Sequence, residues 1–513
     1  MFLHLVICWN AHGPSPSFLL FRSSPFTELQ AGCEVVPPEG ETEIPECHGT
    51  VYGIKPSSLV TTLVSFLSIA VAFLTPAMGA VIDYTHHRQR IGRTLAAIYC
   101  CLLFPLIFLS EATWFPFLVL LVLTACNAVG LTLAMHAYLP EVRISKGEES
   151  IHQKVRSCSM DSSLQSPSVC FETQLTDSED ELNDFTRTFT AGTGALVILF
   201  VVTVMAVALA LGVSGDEVAT ARIAAFLGFL VLGLTFGVAW GLLFEKRPAM
   251  NTLPEGHSLL TEGFKQIGRT SKGLYRNNRA LLWFFYSVAF GDVKPLTSIG
   301  LTFISNQQQF TSMDVGIAAM ALLFSTIPGA ILSSYVSRKL NPIRGSVIAL
   351  LGLTAVTYAG SIFLTGPNQK PQTFVIIALW GVTGGMKVVS TNMLVASILP
   401  EGHDAELMGF YLFADISLSW LPPIIFTAIN EAGLSERLGL SSTTIFYLLA
   451  LIGYWKMGTY EDCLKAANRL HHLHHDSGVR MVESTESLKV IAEEDDVPMT
   501  DKQDVEVALE VQS

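Results

Sequence analysis

Four ionisable side chains lie inside long apolar segments of the sequence: Asp292, Lys294, Lys387 and Asp415. An ionised group inside a lipid bilayer is costly, so it normally faces a cavity or a partner of opposite charge. These two acids and two bases sum to zero charge, which suits a zwitterionic substrate or a proton. The alternative is that they form structural ion pairs between helices or extend to the membrane surface.

For Asp292 and Lys294, a binding role and a structural role are equally supported, because residues two apart do not share one helical face. For Lys387 and Asp415 we favour a role in binding. If a proton is carried, Asp415 or Asp292 is the candidate carrier, since a buried carboxyl group binds a proton more readily than an exposed one.

Helix-breaking residues stand beside these charges. Pro295, Gly291 and the pair Gly384-Gly385 predict interrupted helices. The backbone groups freed at such interruptions can bind the two ends of a zwitterion.

A second cluster follows the first apolar segment and contains Gly79, Asp83, Arg88 and Arg93. A carboxylate at a helix end can hold either guanidinium by charge-assisted hydrogen bonds. Such a latch can break and re-form when two halves of a protein rock against each other. We therefore predict a cytosolic gate at these four residues; the alternative is an ordinary basic loop after a helix.

Other motifs carry less information. Cys33 and Cys47 either pair, closing a loop of ~15 residues, or remain free thiols. Residues 255–260 have the spacing of an acidic dileucine sorting signal, and residues 471–475 contain four histidines, which we interpret as incidental. The sequence contains no glycine-rich phosphate loop, HExxH or GxSxG motif. We therefore expect neither an enzyme nor an ATP-driven pump, and no metal or other cofactor.

The composition identifies the elements that must position these residues. Half of the 513 residues are hydrophobic, 15% are charged and the mean hydropathy is +0.46. A disordered chain lacks such apolar content, and a soluble protein carries about a quarter charged residues. The net charge of −13 argues against a nucleic-acid partner. The composition instead predicts an all-α polytopic protein whose main partner is the lipid bilayer.

Eleven apolar runs are long enough to be membrane spans. They lie at about 57–82, 94–110, 114–139, 188–213, 222–244, 280–303, 314–336, 344–364, 373–399, 406–428 and 442–457. Most Lys and Arg residues fall on one side of these spans, and the positive-inside rule makes that side cytosolic. Residues 30–56 then lie on the non-cytosolic side, and a weak first helix within residues 1–56 would have to come from residues 2–21, which include Pro14 and Pro16. That stretch is a degraded first span, an interfacial segment or a wrongly predicted start.

The two halves of the chain also resemble each other. Leu139-Pro140-Glu141 and Leu399-Pro400-Glu401 each follow an apolar run, 260 residues apart, and Pro76 and Pro328 each precede a Gly-Ala pair. This predicts two six-helix halves, as in parallel-repeat transporters. The predicted divisions are a non-cytosolic segment (1–56), a first half (57–244, with an acidic cytosolic loop at 141–187), a central cytosolic loop (245–279), a second half (280–457) and an acidic cytosolic tail (458–513).

These residues carry a resemblance to a known family. The Gly79–Arg93 loop resembles the cytoplasmic signature of the major facilitator superfamily. Residues 373–462 resemble its vacuole-effluxer branch, the autophagy-related amino-acid effluxers, through the runs Leu399–Glu406, Gly409–Tyr411 and Ser419–Leu421. One departure is Ile416, where the family usually places a basic residue after the acid that matches Asp415.

The resemblance implies a secondary transporter of the vacuolar or lysosomal membrane. It would export amino acids from the lumen to the cytosol by alternating access, with protons as a second candidate ligand, and serve recycling after autophagy. The alternatives are a carrier of another small solute and a non-transporting membrane receptor or scaffold.

Overall fold

The computed structural model describes residues 55–85, 88–108, 114–136, 217–238, 258–292, 294–308, 312–366, 369–398 and 404–464, together with Phe310 and single residues between 199 and 212. Within these ranges the chain forms helices and turns and no strand. The following segments lie outside them: the N-terminal segment with Cys33 and Cys47, the 141–187 loop, most of the 188–213 span, the dileucine-like motif up to His257, and the tail beyond residue 464.

The helices follow the predicted apolar runs. They are α1 (Pro56–Tyr84), α2 (Arg88–Leu103, continued by a 3-10 turn at Phe104–Phe108), α3 (Trp114–His136), α4 (Glu217–Val238), α5 (Leu259–Asn277), α6 (Arg279–Phe290), α7 (Lys294–Asn306), α8 (Ser312–Leu340), α9 (Pro342–Phe363), α10 (Lys370–Ile398), α11 (Asp404–Ser417), α12 (Leu421–Glu431) and α13 (Glu436–Met457).

By length and composition, seven of the described helical stretches can cross a membrane. The count of eleven spans stays a prediction. One element was not predicted: α5 is a 19-residue helix inside the segment expected to be a loop.

Local sequence explains where several helices begin. The Asn278 side chain accepts a hydrogen bond from the N–H of Leu281 at the start of α6, and Asn341 accepts one from Arg344 at the start of α9. Asn341 has φ 75°, a conformation that Asn tolerates better than most residues. Pro56 and Pro342 occupy the first helical positions, where a missing N–H costs nothing.

The helices pack in two groups that meet on α1. Helices α6 to α13 share one hydrophobic core, in which Phe284, Phe303, Phe426 and Tyr447 are almost completely buried. In the other group, α3 packs on both α1 and α2, and α4 packs on α2. Helix α1 contacts α5, α7, α11 and α12, so it is the main connection between the groups.

Glycines allow α8 and α10 to pack backbone to backbone. A Cβ atom at Gly381 would overlap the carbonyl oxygen of Leu322, and one at Gly385 would overlap that of Thr326. From the other helix, Gly329 meets the Val382 carbonyl in the same way. Nearby, the hydroxyls of Ser333 and Ser390 lie 2.7 Å apart and form a buried hydrogen bond between the two helices. Small residues of this kind are the usual way for membrane helices to approach closely.

We expect Gly381→Val to separate α8 from α10, because its side chain cannot fit against the Leu322 carbonyl. Overpacking of this kind costs about 1–3 kcal/mol. The midpoint of thermal unfolding in detergent, followed by tryptophan fluorescence, should therefore fall. Gly409→Ala is the control, since no atom lies within 4 Å of a Cβ placed there. An equal midpoint for Gly381→Val and the parent would contradict this packing.

Candidate functional site

Asp292 lies at a break between two helices. Helix α6 ends at Phe290, the N–H of Gly291 donates to the carbonyl of Ser287 at 2.9 Å, and α7 begins at Lys294. This confirms the interruption predicted from Gly291 and Pro295, with Pro295 in the first turn of α7. The Asp292 side chain is buried, with 7% exposed. Lys294 begins α7, and its side chain lies outside the described part of the structure.

The break is enclosed by neighbouring helices. A Cβ atom at Gly291 would lie 3.3 Å from the Ala450 side chain on α13 and 3.6 Å from Leu350 on α9. Asp292 also interacts electrostatically with the fully buried Tyr447 of α13. The carboxylate is therefore held inside the bundle, next to a helix terminus.

Tyr411 of α11 lies within electrostatic range of both acids, Asp415 one turn further along its own helix and Asp292 at the break between α6 and α7. Its hydroxyl donates a hydrogen bond to Oδ1 of Asn392 on α10 at 3.3 Å, and its ring is stacked on Phe284 with centroids 6.3 Å apart. The structure thus brings Asp292 and Asp415 to one tyrosine.

Asp292, Asp415, Tyr411 and Asn392 form a polar cluster, and two of its members had no role assigned from the sequence. Tyr411 appeared only as part of the Gly409–Tyr411 motif, and Asn392 was not singled out. Both are polar but uncharged, so a search for charges inside apolar runs passes over them. A search for polar groups within the predicted spans would have found both.

Asp415 precedes a second helix break that the sequence analysis did not predict. The expected continuous span at 406–428 is two helices, with a turn at residues 418–420. Pro422 and Pro423 have no N–H to donate to carbonyls of the preceding turn. Side chains bond the last carbonyls of α11: Trp420 Nε1 donates to the Ser417 carbonyl oxygen, and the Ser419 hydroxyl donates to the Ile416 carbonyl oxygen, both at 2.8 Å.

The residue after Asp415 faces the other helix group. Ile416 packs against Leu67 and Val71 of α1 and Ala125 of α3. An apolar side chain suits this contact, which accounts for the absence of the basic residue expected here. Asp415 itself is half-buried, so it lies beside the boundary between the two groups.

Lys387 is buried, with 4% exposed, in the middle of α10. The prediction that Gly384-Gly385 interrupts this helix is wrong, since α10 is continuous from Lys370 to Ile398. The physical reason is that Gly385 makes room for the backbone of α8, so a helical conformation is retained there.

The two helix groups are tied together at the end where α1 begins, which we call the Lys55 end. Asn430 Nδ2 donates to the Ser58 hydroxyl at 2.9 Å, the hydroxyls of Thr61 and Thr427 lie 2.7 Å apart, and Lys55 Nζ donates to the Asn430 carbonyl at 2.9 Å. Ser58 and Thr61 are completely buried. These bonds hold the start of α1 against α12.

Towards the opposite end of α1, helix α5 bridges the groups. Gly263 sits against the carbonyl of Pro76, so closely that a Cβ atom there would overlap it. Helix α5 also contacts α6 and α11, and its Leu274 joins the core of the larger group. The two groups are therefore connected at both ends of α1.

The predicted gate residues lie near this second end. A Cβ atom at Gly79 would meet open space, and Arg93 is exposed on α2. Asp83 is in the last turn of α1 and Arg88 begins α2, but their side chains lie outside the described part. A latch between them stays a prediction.

The fold is shared with several solved transporter structures. The human organic anion transporter MFSD10 (TETRAN) aligns with a TM-score of 0.53 at 12% identity, over 89% of this chain and 97% of that one. The E. coli fucose:proton symporter FucP gives 0.51 at 12% identity, and the nucleoside transporter NupG 0.50 at 14%, each over 89% of this chain and 98% of the other. The fold class is therefore that of the major facilitator transporters, as predicted.

Within that class, the chain belongs to the vacuole effluxer Atg22-like family, whose model matches residues 21–461. It is accordingly a multi-pass integral membrane protein of the vacuolar membrane. The resemblance stated from the sequence is confirmed.

Curated relatives include autophagy-related protein 22 from two strains of Cryptococcus neoformans var. neoformans serotype D. Each is 20% identical over 184 residues, which is 34% of this chain. The match spans 31% of the JEC21 protein and 32% of the B-3501A protein, about a third of their lengths.

Removing the bonds at the Lys55 end should open it. In Ser58→Val with Thr427→Val, two hydrogen bonds between the groups are lost, each contributing about 1 kcal/mol. We expect a cysteine at the buried position Ser65 to react about 30-fold faster with a polar maleimide applied from the Lys55 end.

The matched control is Ser68→Val with the same reporter, because the Ser68 hydroxyl bonds only to the Val64 carbonyl of its own helix. Equal labelling rates in the double variant and this control would show that the bonds do not hold that end closed.

Proposed function

We propose that the chain is a secondary transporter that moves amino acids from the vacuolar lumen to the cytosol by alternating access, in recycling after autophagy. The observation that carries this proposal is the buried Asp292 at the break between α6 and α7 inside the bundle, with Tyr411 within electrostatic range of both Asp292 and Asp415. No enzymatic activity is part of the proposal.

The cluster suits a zwitterion. Carboxylates can hold an amino group, and Lys387, buried on the same helix as Asn392, is the proposed partner of the substrate carboxylate. Backbone groups at the two helix breaks add donors and acceptors near Asp292 and Asp415. The Tyr411 hydroxyl and the Asn392 amide supply neutral polar contacts to orient the ligand.

The half-buried Asp415 is our proposed entry point to the cluster. It lies on α11 beside Ile416, which contacts α1 and α3. In alternating access the two groups rock about a central site, so a residue beside their boundary gains and loses exposure. Asp292 is enclosed within one group, which suits a fixed binding residue or proton carrier.

The basic residues at the helix ends predict how the protein is oriented in the membrane. The positive-inside rule places the ends of α8 and α13 that carry Arg338, Lys339 and Lys456 in the cytosol. The Lys55 end then faces the lumen, and its hydrogen bonds would form the lumenal closure. Helix α5 would close or narrow the cytosolic side, together with the proposed gate at Gly79, Asp83, Arg88 and Arg93.

We expect Asp415→Asn to abolish efflux of neutral amino acids from loaded vesicles, because the amide is nearly isosteric but carries no charge and cannot take up a proton. Glu461→Gln removes an exposed carboxylate outside the spans and should leave efflux unchanged. Membrane abundance and thermal unfolding should match the parent in both. Efflux at the parent's rate in Asp415→Asn would remove this residue from the mechanism.

Tyr411→Phe should weaken substrate binding while keeping the ring on Phe284. Loss of one hydrogen bond of about 1 kcal/mol predicts an apparent KM about fivefold higher. Tyr358→Phe is the control, since Tyr358 is 55% exposed on α9. An unchanged KM in Tyr411→Phe would place its hydroxyl outside the substrate site.

The efflux assay must also test solutes other than amino acids. The structural neighbours are described as transporters of an organic anion, a nucleoside and fucose, so the fold does not fix the solute. Efflux of a sugar or organic anion in place of amino acids would support a different carrier. No movement of any solute would favour the receptor or scaffold.

A further inference from the structure

Helix α5 carries a stripe of bases on one face. Lys265, Arg269, Lys272 and Arg276 are spaced by four, three and four residues, so they align along the helix. All four are exposed. Arg269 pairs with the buried Glu262, whereas no carboxylate of the described residues lies within salt-bridge distance of Lys265, Lys272 or Arg276. The exposed Lys265, Lys272 and Arg276 face an external anion.

Aromatic side chains line the exposed face beside this stripe. Phe264 is 47% exposed and Tyr275 is 57% exposed, both on the same side of the bases. The opposite face is buried, with Gly263 against Pro76 and Leu274 in the core. The outward face therefore combines bases with large aromatic groups, the composition of helices that lie in a membrane interface.

The chain places this helix close to the membrane surface. A single residue, Asn278, separates α5 from the apolar helix α6, and its backbone N–H donates to the Leu274 carbonyl. The first residue of α6, Arg279, lies with its guanidinium 5.0 Å from the centre of the Tyr275 ring. The C-terminal part of α5 is therefore held where a membrane helix enters the bilayer.

A concave surface is present at this point. Its volume is 540 Å³, and Arg269, Lys272, Gly273 and Arg276 line it. Lys272 and Arg276, together with Arg269 that is paired with Glu262, surround this hollow, which leaves room for a bulky anionic group. A phosphorylated lipid headgroup has the charge and the size for this surface.

We propose that the face of α5 formed by Lys265, Lys272 and Arg276, with Phe264 and Tyr275, binds anionic phospholipid headgroups of the adjoining leaflet. Because α5 also rests on α1 at Gly263, lipid bound here would hold the bridge between the two helix groups in place. The acidic tail of the chain also complements these charges, but an acidic peptide gives no reason for the exposed aromatic pair.

The test uses the purified full chain in detergent and a fluorescent dioctanoyl phosphatidylinositol bisphosphate, with binding followed by anisotropy. Each base near an anionic surface contributes roughly fivefold in affinity, so Lys265→Gln with Lys272→Gln and Arg276→Gln should weaken binding by about 100-fold. Arg269 is kept because it pairs with Glu262. Dioctanoyl phosphatidylcholine should compete poorly.

Arg338→Gln with Lys339→Gln and Arg344→Gln is the matched control, since it removes three bases elsewhere on the predicted cytosolic side. It should bind within about twofold of the parent. Thermal unfolding of both triple variants checks that they are folded.

Two results would overturn the proposal. One is equal lipid affinity in the α5 triple variant and the parent. The other is tighter binding of a labelled synthetic peptide of residues 480–513 than of the lipid, weakened in the α5 triple variant, which would assign the stripe to the acidic tail.

Discussion

The cost of keeping charge inside an apolar helix bundle governs this structure. Asp292 and Lys387 are almost completely buried, and an ionised group in such surroundings must be met by opposite charge or polar neighbours. The bundle supplies tyrosine side chains, an amide and the backbone groups at two helix breaks. Each of these lowers the stability of the apolar packing or of the backbone hydrogen bonding. The residues around Tyr411 are therefore the part of the protein where stability and binding compete most directly.

Glycine serves two opposite purposes in the same helix group. At Gly291 it stands where α6 stops, packed against Ala450 and Leu350. At Gly381 and Gly385 it keeps α10 straight and lets the backbone of α8 approach. The two cases differ in what packs against the glycine. A helix continues through a glycine when the backbone of another helix lies against it, as at Gly381 and Gly385. At Gly291 the helical hydrogen bonding ends, and Asp292 is buried at this break.

Helix α1 is where the two groups can separate or close. Its beginning is bonded to α12 through Ser58 and Thr61, and its later turns receive α5 at Pro76. A hydroxyl contact is readily exchanged for water, while a glycine packed on a carbonyl depends on shape alone. The two ends of α1 therefore hold the groups together by different physical means, and conditions that weaken one need not weaken the other.

The sequence by itself determined the all-helical membrane fold, most span boundaries, the family, and a break near Gly291, because burial in lipid demands long apolar runs and makes every charge conspicuous. Only the tertiary structure decided that Gly385 is a packing residue, that α11 and α12 are separate helices, that Tyr411 lies within electrostatic range of Asp292, and that α5 bridges the groups. These depend on which backbone or side chain arrives from a distant part of the chain, and a local pattern does not contain that neighbour.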